Sequence, residues 1–173
     1  PDRIRAFSHF AVNSTRRAAQ LPADVFFATS TPLTIAVPGI AASRWNKRPM
    51  VFEVRDLWPA IPIAVGALKS RSAILAAQLL EKAAYAGAEH IVALSPGMKA
   101  GVEAAGVPSE KITIIPNLCD PERFQVPASA GQEFRQKYPW LGDRPMVLYA
   151  GTLGLVNGVE YLVRVAAEMR KLD

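Results

Sequence analysis

Four short runs rich in β-forming residues alternate with stretches of helical composition, and this alternation constrains the fold more than any other feature of the chain. Asp24–Thr29 (DVFFAT), Pro49–Val54 (PMVFEV), His90–Leu94 (HIVAL) and Lys111–Ile115 (KITII) read as strands. They lack clean polar–apolar alternation, as strands buried in a parallel sheet do. Helical stretches fall around them at Ile4–Gln20, Leu33–Trp45, Ala73–Tyr85 and Gly97–Ala105. In the third, Ile74, Leu75, Gln78, Leu79, Lys82 and Tyr85 mix an apolar and a polar face at helical spacing. The expected class is α/β, a parallel sheet covered by helices.

After Pro116-Asn117 the pattern changes. Residues 116–144 carry several prolines and turn residues, expected to form a linker with a short helix at Gln132–Lys137. RPMVLYAGTLGLVNGVEYLVRVAAEMRKLD then reads as strand, Gly-rich turn and amphipathic helix, the opening of a second βα unit. The expected division is a first domain over 1–120, a linker over 121–143 and the start of a second domain over 144–173. Beginning at Pro1 and ending inside a helical pattern, the chain is expected to be a piece of a longer protein.

At 173 residues, half of them hydrophobic, the chain can bury a substantial core. No apolar stretch approaches the roughly 20 residues of a spanning helix, and the N-terminus lacks a signal-peptide layout. Cys119 is the one cysteine, and no Cys/His cluster offers a metal site. A cytoplasmic protein without structural metal is the simplest expectation. The formal net charge of +5 lies in residues 1–50, where seven Lys/Arg stand against Asp2 and Asp24. Such a basic half suits phosphate, anionic lipid head groups or nucleic acid, and equally suits an ordinary solvated face.

In an open parallel sheet, ligands collect at the carboxyl ends of the strands. FEVRDLWPAIP places Arg55 and Asp56 at such an end, and Pro59 and Pro62 are expected to prevent immediate helix formation and hold the pair on a rigid turn. The bland alternative is a salt-bridged turn with Trp58 filling the core. Thr29-Ser30-Thr31-Pro32, Ser95-Pro96-Gly97 and Ile115-Pro116-Asn117 end the other three strands. Their hydroxyl and amide groups can cap the next helix or bind a polar ligand, and Pro32 and Pro96 suit a first helical turn. Asp56, Ser95 and the Thr29–Pro32 turn are therefore expected on one edge of the sheet. AGTLGLVNGVE, Ala150–Glu160, is neither GxGxxG nor a Walker sequence, and by itself reads as a tight turn.

Taken together, FEVRDLWPAIPIAVGAL, IVALSPGMKAGVEAAGVPSEKITIIPNLCDPERF and VLYAGTLGLVNGVEYLV resemble glycosyltransferase family four, particularly its bacterial branch building cell-surface polysaccharide. The likeness runs from about Asp24 over nearly the whole chain, with the motifs in matching order. It implies the GT-B fold, two Rossmann-like domains facing across a cleft, with acceptor on the N-terminal domain and nucleotide-sugar on the C-terminal one. This chain would supply the later part of the first, a Rossmann-like parallel sheet flanked by helices, and the first βα unit of the second. The activity implied is retaining transfer of a sugar from a nucleoside diphosphate donor to a saccharide or lipid-linked acceptor, with no cofactor and no metal.

By the same resemblance, Asp56 and Arg55 are the catalytic candidates, projecting into the cleft near acceptor and donor sugar. Ser30, Thr31, Ser95 and Asn117 are the substrate-binding candidates, and Gly151, Thr152 and Gly154 would meet the donor diphosphate. The family's IPNGVD-like sequence stands here as IPNLCD, with Leu118 and Cys119 in place of a glycine and an aliphatic residue. The family's first strand with its glycine-rich loop, its C-terminal basic residues and its paired glutamates have no counterpart in the sequence. This piece alone is therefore expected to be inactive and open to self-association. The resemblance is also compatible with peripheral attachment at the inner face of a membrane. A rival reading is a non-catalytic α/β module holding an anionic partner through its basic half, although no nucleic-acid motif is present. A dinucleotide oxidoreductase is weaker still, since no strand leads into GxGxxG.

Overall fold

The computed structural model describes residues 2–127 and 129–171. It divides into two compact units, Pro1–Asn117 and Leu118–Asp173. The first holds α1 (Asp2–Ala18), β1 (Phe26–Thr29), α2 (Ala36–Asn46), β2 (Met50–Val54), α3 (Ala60–Ala64), α4 (Arg71–Gly87), β3 (His90–Ala93), α5 (Pro96–Ala104) and β4 (Ile112–Ile114). All three strand pairings are parallel, in the order β1-β2-β3-β4. Every strand therefore ends on the same edge, a direct consequence of α-helical crossovers between neighbours.

The register fixes one buried face. Ala28, Phe52, Ile91 and Ile112 lie side by side across the four strands, and all are buried. Helices α2, α4 and α5 pack against the sheet, while α1 packs on α2. Ala36, Gly39 and Ala42 let α2 approach closely: a Cβ on Gly39 would stand 2.7 Å from Met50 Sδ and 3.0 Å from Ala28 Cβ. Tyr85 of α4 meets Phe52 edge-on, with centroids 6.2 Å apart. Burial of these rings and aliphatic chains contributes roughly 1.5–3 kcal/mol per large side chain.

The opposite face corrects the expectation of strands without alternation. In β2, Met50, Phe52 and Val54 are buried while Val51 and Glu53 are half-buried, so the strand does alternate. Phe27 is 59% exposed, and Thr29 and Thr113 are exposed beside it on that face. Here the polar side chains pair with each other, Thr29 with Glu53 and His90 Nε2 with Thr113 Oγ1 at 2.7 Å.

Two further expectations are corrected in this unit. The helix after β1 begins at Ala36, preceded by a 3₁₀ turn at Leu33–Ile35, because Pro32 is extended and caps that turn instead. Pro59 and Pro62 do not prevent a helix after Asp56, since α3 starts at Ala60. Pro62 is its third residue, and the N–H groups of a first turn have no intrahelical acceptor to lose.

The second unit contains α6 (Ser129–Lys137) and α7 (Glu160–Met169), joined by turns. Helix α6 covers the short helix expected at Gln132–Lys137. Arg135 binds the carbonyl of Arg144 at 3.0 Å, and Arg144 binds that of Trp140 at 2.9 Å, so two guanidinium groups hold the turn between them. The strand expected from Arg144 onward is not formed: residues 144–150 carry no ladder, and Val147 and Leu148 are 87% and 72% exposed. A β-rich run needs a partner strand for its N–H and C=O groups, and none is supplied within this unit among the described residues.

Candidate active site

Each of the four strand ends contributes to one hollow. A cavity of about 420 Å³ is lined by Thr29 at the end of β1 with Ser30 and Thr31 beyond it, Arg55 and Asp56 after β2, Leu94 after β3 and Asn117 after β4. All belong to the first unit. A somewhat larger hollow, about 550 Å³, lies at the other edge, where Arg48 and Pro49 lead into β2 and Glu89 into β3. Loops at carboxyl ends are the ones that gather ligands in a parallel sheet, which favours the smaller cavity.

Asp56 is half-buried and accepts a hydrogen bond from Thr31 Oγ1 at 2.8 Å. The salt-bridged-turn alternative is not what holds it, since no ion pair joins Arg55 and Asp56 among the described residues. The Arg55 side chain is exposed, and its guanidinium is open to an incoming group. Trp58 and Leu57 do pack against the core, as that alternative supposed for Trp58.

Ser30 is only 3% exposed. Its N–H donates to the Glu53 carbonyl at 2.8 Å, and its Oγ accepts from the Arg55 N–H at 2.9 Å. The β1–β2 ladder is thereby carried past the strands into the site. Next to it, Thr31 holds φ at 138°, a region that branched residues avoid. Outliers of this kind persist only where the surroundings over-determine them, and here the Asp56 bond and the buried Ser30 do so.

Ser95 lies at the end of β3 on the same edge as Asp56 and the Thr29–Pro32 turn. Its hydroxyl accepts from Met98 N–H at 3.2 Å and caps α5, with Pro96 in the first turn. The cavity wall at that strand is formed by Leu94. Asn117, by contrast, lines the cavity with an exposed side chain.

Gly151, Thr152 and Gly154 lie in the second unit, in a turn closed on itself. Asn157 Nδ2 donates to the Thr152 carbonyl at 2.7 Å and to Tyr149 Oη at 2.6 Å, while Tyr149 Oη donates to the Thr152 carbonyl at 3.0 Å. A Cβ on Gly151 would stand 2.8 Å from that phenol oxygen, so a side chain there would displace the Tyr149 ring from this closure. Gly158 ends the following 3₁₀ turn at φ 57°.

Two features escaped the sequence reading. Glu53 stands two residues before Arg55, and its carboxylate bonds Thr29 at the cavity rim; the alternation of β2 was the available signal. Gly101 lies on α5 where a Cβ would come within 2.5 Å of Leu57 Cδ1, so the bare helix backbone seats the turn that carries Asp56. A lone glycine in a helical run signals close approach, though not against what.

Chemically, the cavity joins a carboxylate, an exposed guanidinium, a threonine hydroxyl and a carboxamide in one lining. That set suits a polyhydroxylated ligand, with the carboxylate accepting from hydroxyl groups and the cation meeting an anionic or developing negative oxygen. Among the described residues no group of three or more His, Cys, Asp or Glu is placed to hold a metal ion.

Residues 1–118 match the model of the glycosyl transferase 4-like domain. Over 89 residues the sequence is 28% identical to the alpha-galactosylglucosyldiacylglycerol synthase of Streptococcus pneumoniae, covering 51% of this chain and 24% of that protein. Among solved structures, Anabaena HepE in complex with UDP aligns with a TM-score of 0.54 and 20% identity, over 75% of this chain and 32% of HepE. Its complex with UDP-glucose aligns with a TM-score of 0.55, over 76% and 33%. The likeness to HepE is one of fold. The chain spans about a quarter of the curated relative and a third of the solved one.

Proposed function

The chain belongs to the glycosyl transferase 4-like family, matched over residues 1–118, and from that premise we propose that the strand-end cavity is the acceptor side of a nucleotide-sugar glycosyltransferase. The observation that carries this reading is the Thr31–Asp56 hydrogen bond, which fixes a half-buried carboxylate at the mouth of a polar cavity. The HepE complexes with UDP and UDP-glucose support a nucleoside diphosphate sugar as donor.

In this reading Asp56 orients the acceptor hydroxyl and stabilises positive charge as the anomeric carbon becomes oxocarbenium-like, with same-face substitution and retention of configuration. Arg55 meets negative charge on the donor side. Thr31 holds Asp56, Asn117 contacts substrate, and Ser30 and Ser95 set the two loops between which substrate lies. Gly151, Thr152 and Gly154 contribute backbone N–H groups to the donor diphosphate. The reading assigns no cofactor and no metal, a saccharide or lipid-linked acceptor in cell-surface polysaccharide synthesis, and a cytoplasmic site of action at the inner face of the membrane. No helix among the described residues is long and apolar enough to cross one.

The test is glycosyl transfer by the full-length protein with Asp56→Asn beside the unaltered enzyme, using radiolabelled UDP-sugars and a membrane extract as acceptor. Loss of transfer with unchanged folding supports the assignment. Undiminished transfer removes Asp56 from the chemistry.

A further inference from the structure

The hydroxyl protons at the end of β1 are already committed. Thr29 Oγ1 bonds Glu53 Oε2, and Thr31 Oγ1 bonds Asp56 Oδ2 at 2.8 Å. A carboxylate has no proton to give, so the threonine is the donor in both pairs. A hydroxyl carries one proton and two lone pairs. Thr29 and Thr31 line the strand-end cavity and are exposed, and what each hydroxyl has left to offer there is its lone pairs. Ser30, between them, is turned inward: its Oγ accepts from the Arg55 N–H and the residue is buried.

A hydrogen bond to an ionised acceptor is about twice as strong as one between neutral groups, so neither threonine gains by turning its proton toward a neutral ligand. A ligand hydroxyl that donates to such an oxygen extends a chain, from ligand to threonine to carboxylate, whose members polarise one another. The side-chain N–H donors of the same lining, Arg55 and Asn117, follow β2 and β4. We propose that the β1 end of the cavity recognises its saccharide by hydrogens the saccharide donates. The unit seated there therefore carries free hydroxyl groups toward Thr29 and Thr31, and sugars acylated, alkylated or phosphorylated at those oxygens are rejected. This rests on the acceptor-site reading above and narrows it to sugars unsubstituted at those positions. Glu53 does not line the cavity, so it is a positioning residue that acts on the ligand through Thr29.

The experiment is ligand-observed NMR titration of the chain with the methyl glycosides of glucose, galactose, mannose and N-acetylglucosamine, then with the monodeoxyfluoro analogues of whichever binds. Fluorine is close to a hydroxyl in size but has no hydrogen to donate. At two ring positions it is expected to weaken binding about tenfold, the worth of one hydrogen bond. Glu53→Gln is the discriminating variant. A glutamine amide both donates and accepts, so it no longer dictates the direction of the Thr29 bond. The fluorine penalty at one of the two positions should then fall to about threefold or less, while the penalty at the other stays. Thr29→Val should weaken the parent glycoside about tenfold and remove that same penalty.

Fluorine tolerated at every ring position would overturn the proposal. So would Glu53→Gln weakening the parent and all its analogues by one common factor, the result of a role confined to packing. Thr29→Val gives an independent check: losses from the variant and from fluorine that add, where they should overlap, would also overturn it. Binding of none of the four glycosides would overturn the acceptor-site reading itself, and the proposal with it.

Discussion

Thr31 Oγ1 donates to Asp56 Oδ2 over 2.8 Å, tying together two strand ends that lie 25 residues apart in sequence. The bond orients one carboxylate oxygen and leaves the other available to a ligand. On the proposed function, Asp56→Asn in the full-length protein is expected to lower kcat/KM by about 100-fold or more, within the range of a positioned carboxylate, while Tm moves by no more than roughly 2 °C. Steady-state kinetics beside a thermal melt check it. Parallel losses of activity and melting temperature would return Asp56 to a packing role.

Thr31→Val keeps the shape and removes the donor. Transfer is expected to fall about tenfold, the equivalent of ~1.4 kcal/mol for one hydrogen bond to a charged group. Thr31→Ser, which keeps the hydroxyl, should restore most of it. A serine variant as poor as the valine variant would show that the backbone at this residue matters, and not its hydroxyl.

Ser30→Ala should behave in the opposite sense to Asp56→Asn. Its loss leaves the Arg55 N–H without its acceptor in a part-buried setting, which costs about 1–3 kcal/mol. Denaturant unfolding should show the full decrease. Catalysis should fall only as far as the loops loosen.

Gly101→Ala gains about 1 kcal/mol of helix propensity and loses about 1–3 kcal/mol to crowding against Leu57. Because Leu57 can rotate aside, the alanine variant is expected to fold with slightly lower stability and impaired transfer. Gly101→Leu should fail at both. A more stable and fully active alanine variant would contradict the proposed seating of the Asp56 turn.

Glu81 titrates above the usual carboxylate range, chiefly because burial disfavours its charge, opposed by the Tyr85 hydroxyl bond and by Lys82. A raised folded-state value means that its protonated form favours folding, a contribution present below the unfolded value near 4.5 and lost as pH rises through the folded value. Glu81→Gln is therefore expected to raise Tm at pH 8 and to leave it nearly unchanged at pH 3, as thermal melts at the two pH values would show. A larger gain at pH 3 than at pH 8 would reverse the sign argued here.

The four strands, the large helices of the first unit and the gathering of Asp56, Ser95 and the Thr29–Pro32 turn on one edge of the sheet were all legible in the sequence. The reason is that parallel βα units announce themselves by composition and by turn residues at strand ends. Arg55 and Asp56 were legible as a pair, but not Thr31 as the group that holds Asp56, because the contact is made 25 residues away by folding. Glu53 was passed over because β2 was read as a run without alternation, although its side chain lies on the strand's less buried face. The strand expected at Arg144–Ala150 failed for a plain reason: local β preference forms no ladder alone. Helix α3 was missed because proline was weighed as a breaker without regard to its place in the first turn.

Ser30 ties the end of β1 to β2 through its N–H and to the loop after β2 through its hydroxyl, and it is sealed from solvent. The roots of both loops are therefore fixed while the chain folds, and that part of their freedom is not left to be surrendered when a ligand arrives. Association at this cavity should then be governed by diffusion and orientation, without a rearrangement step to slow it.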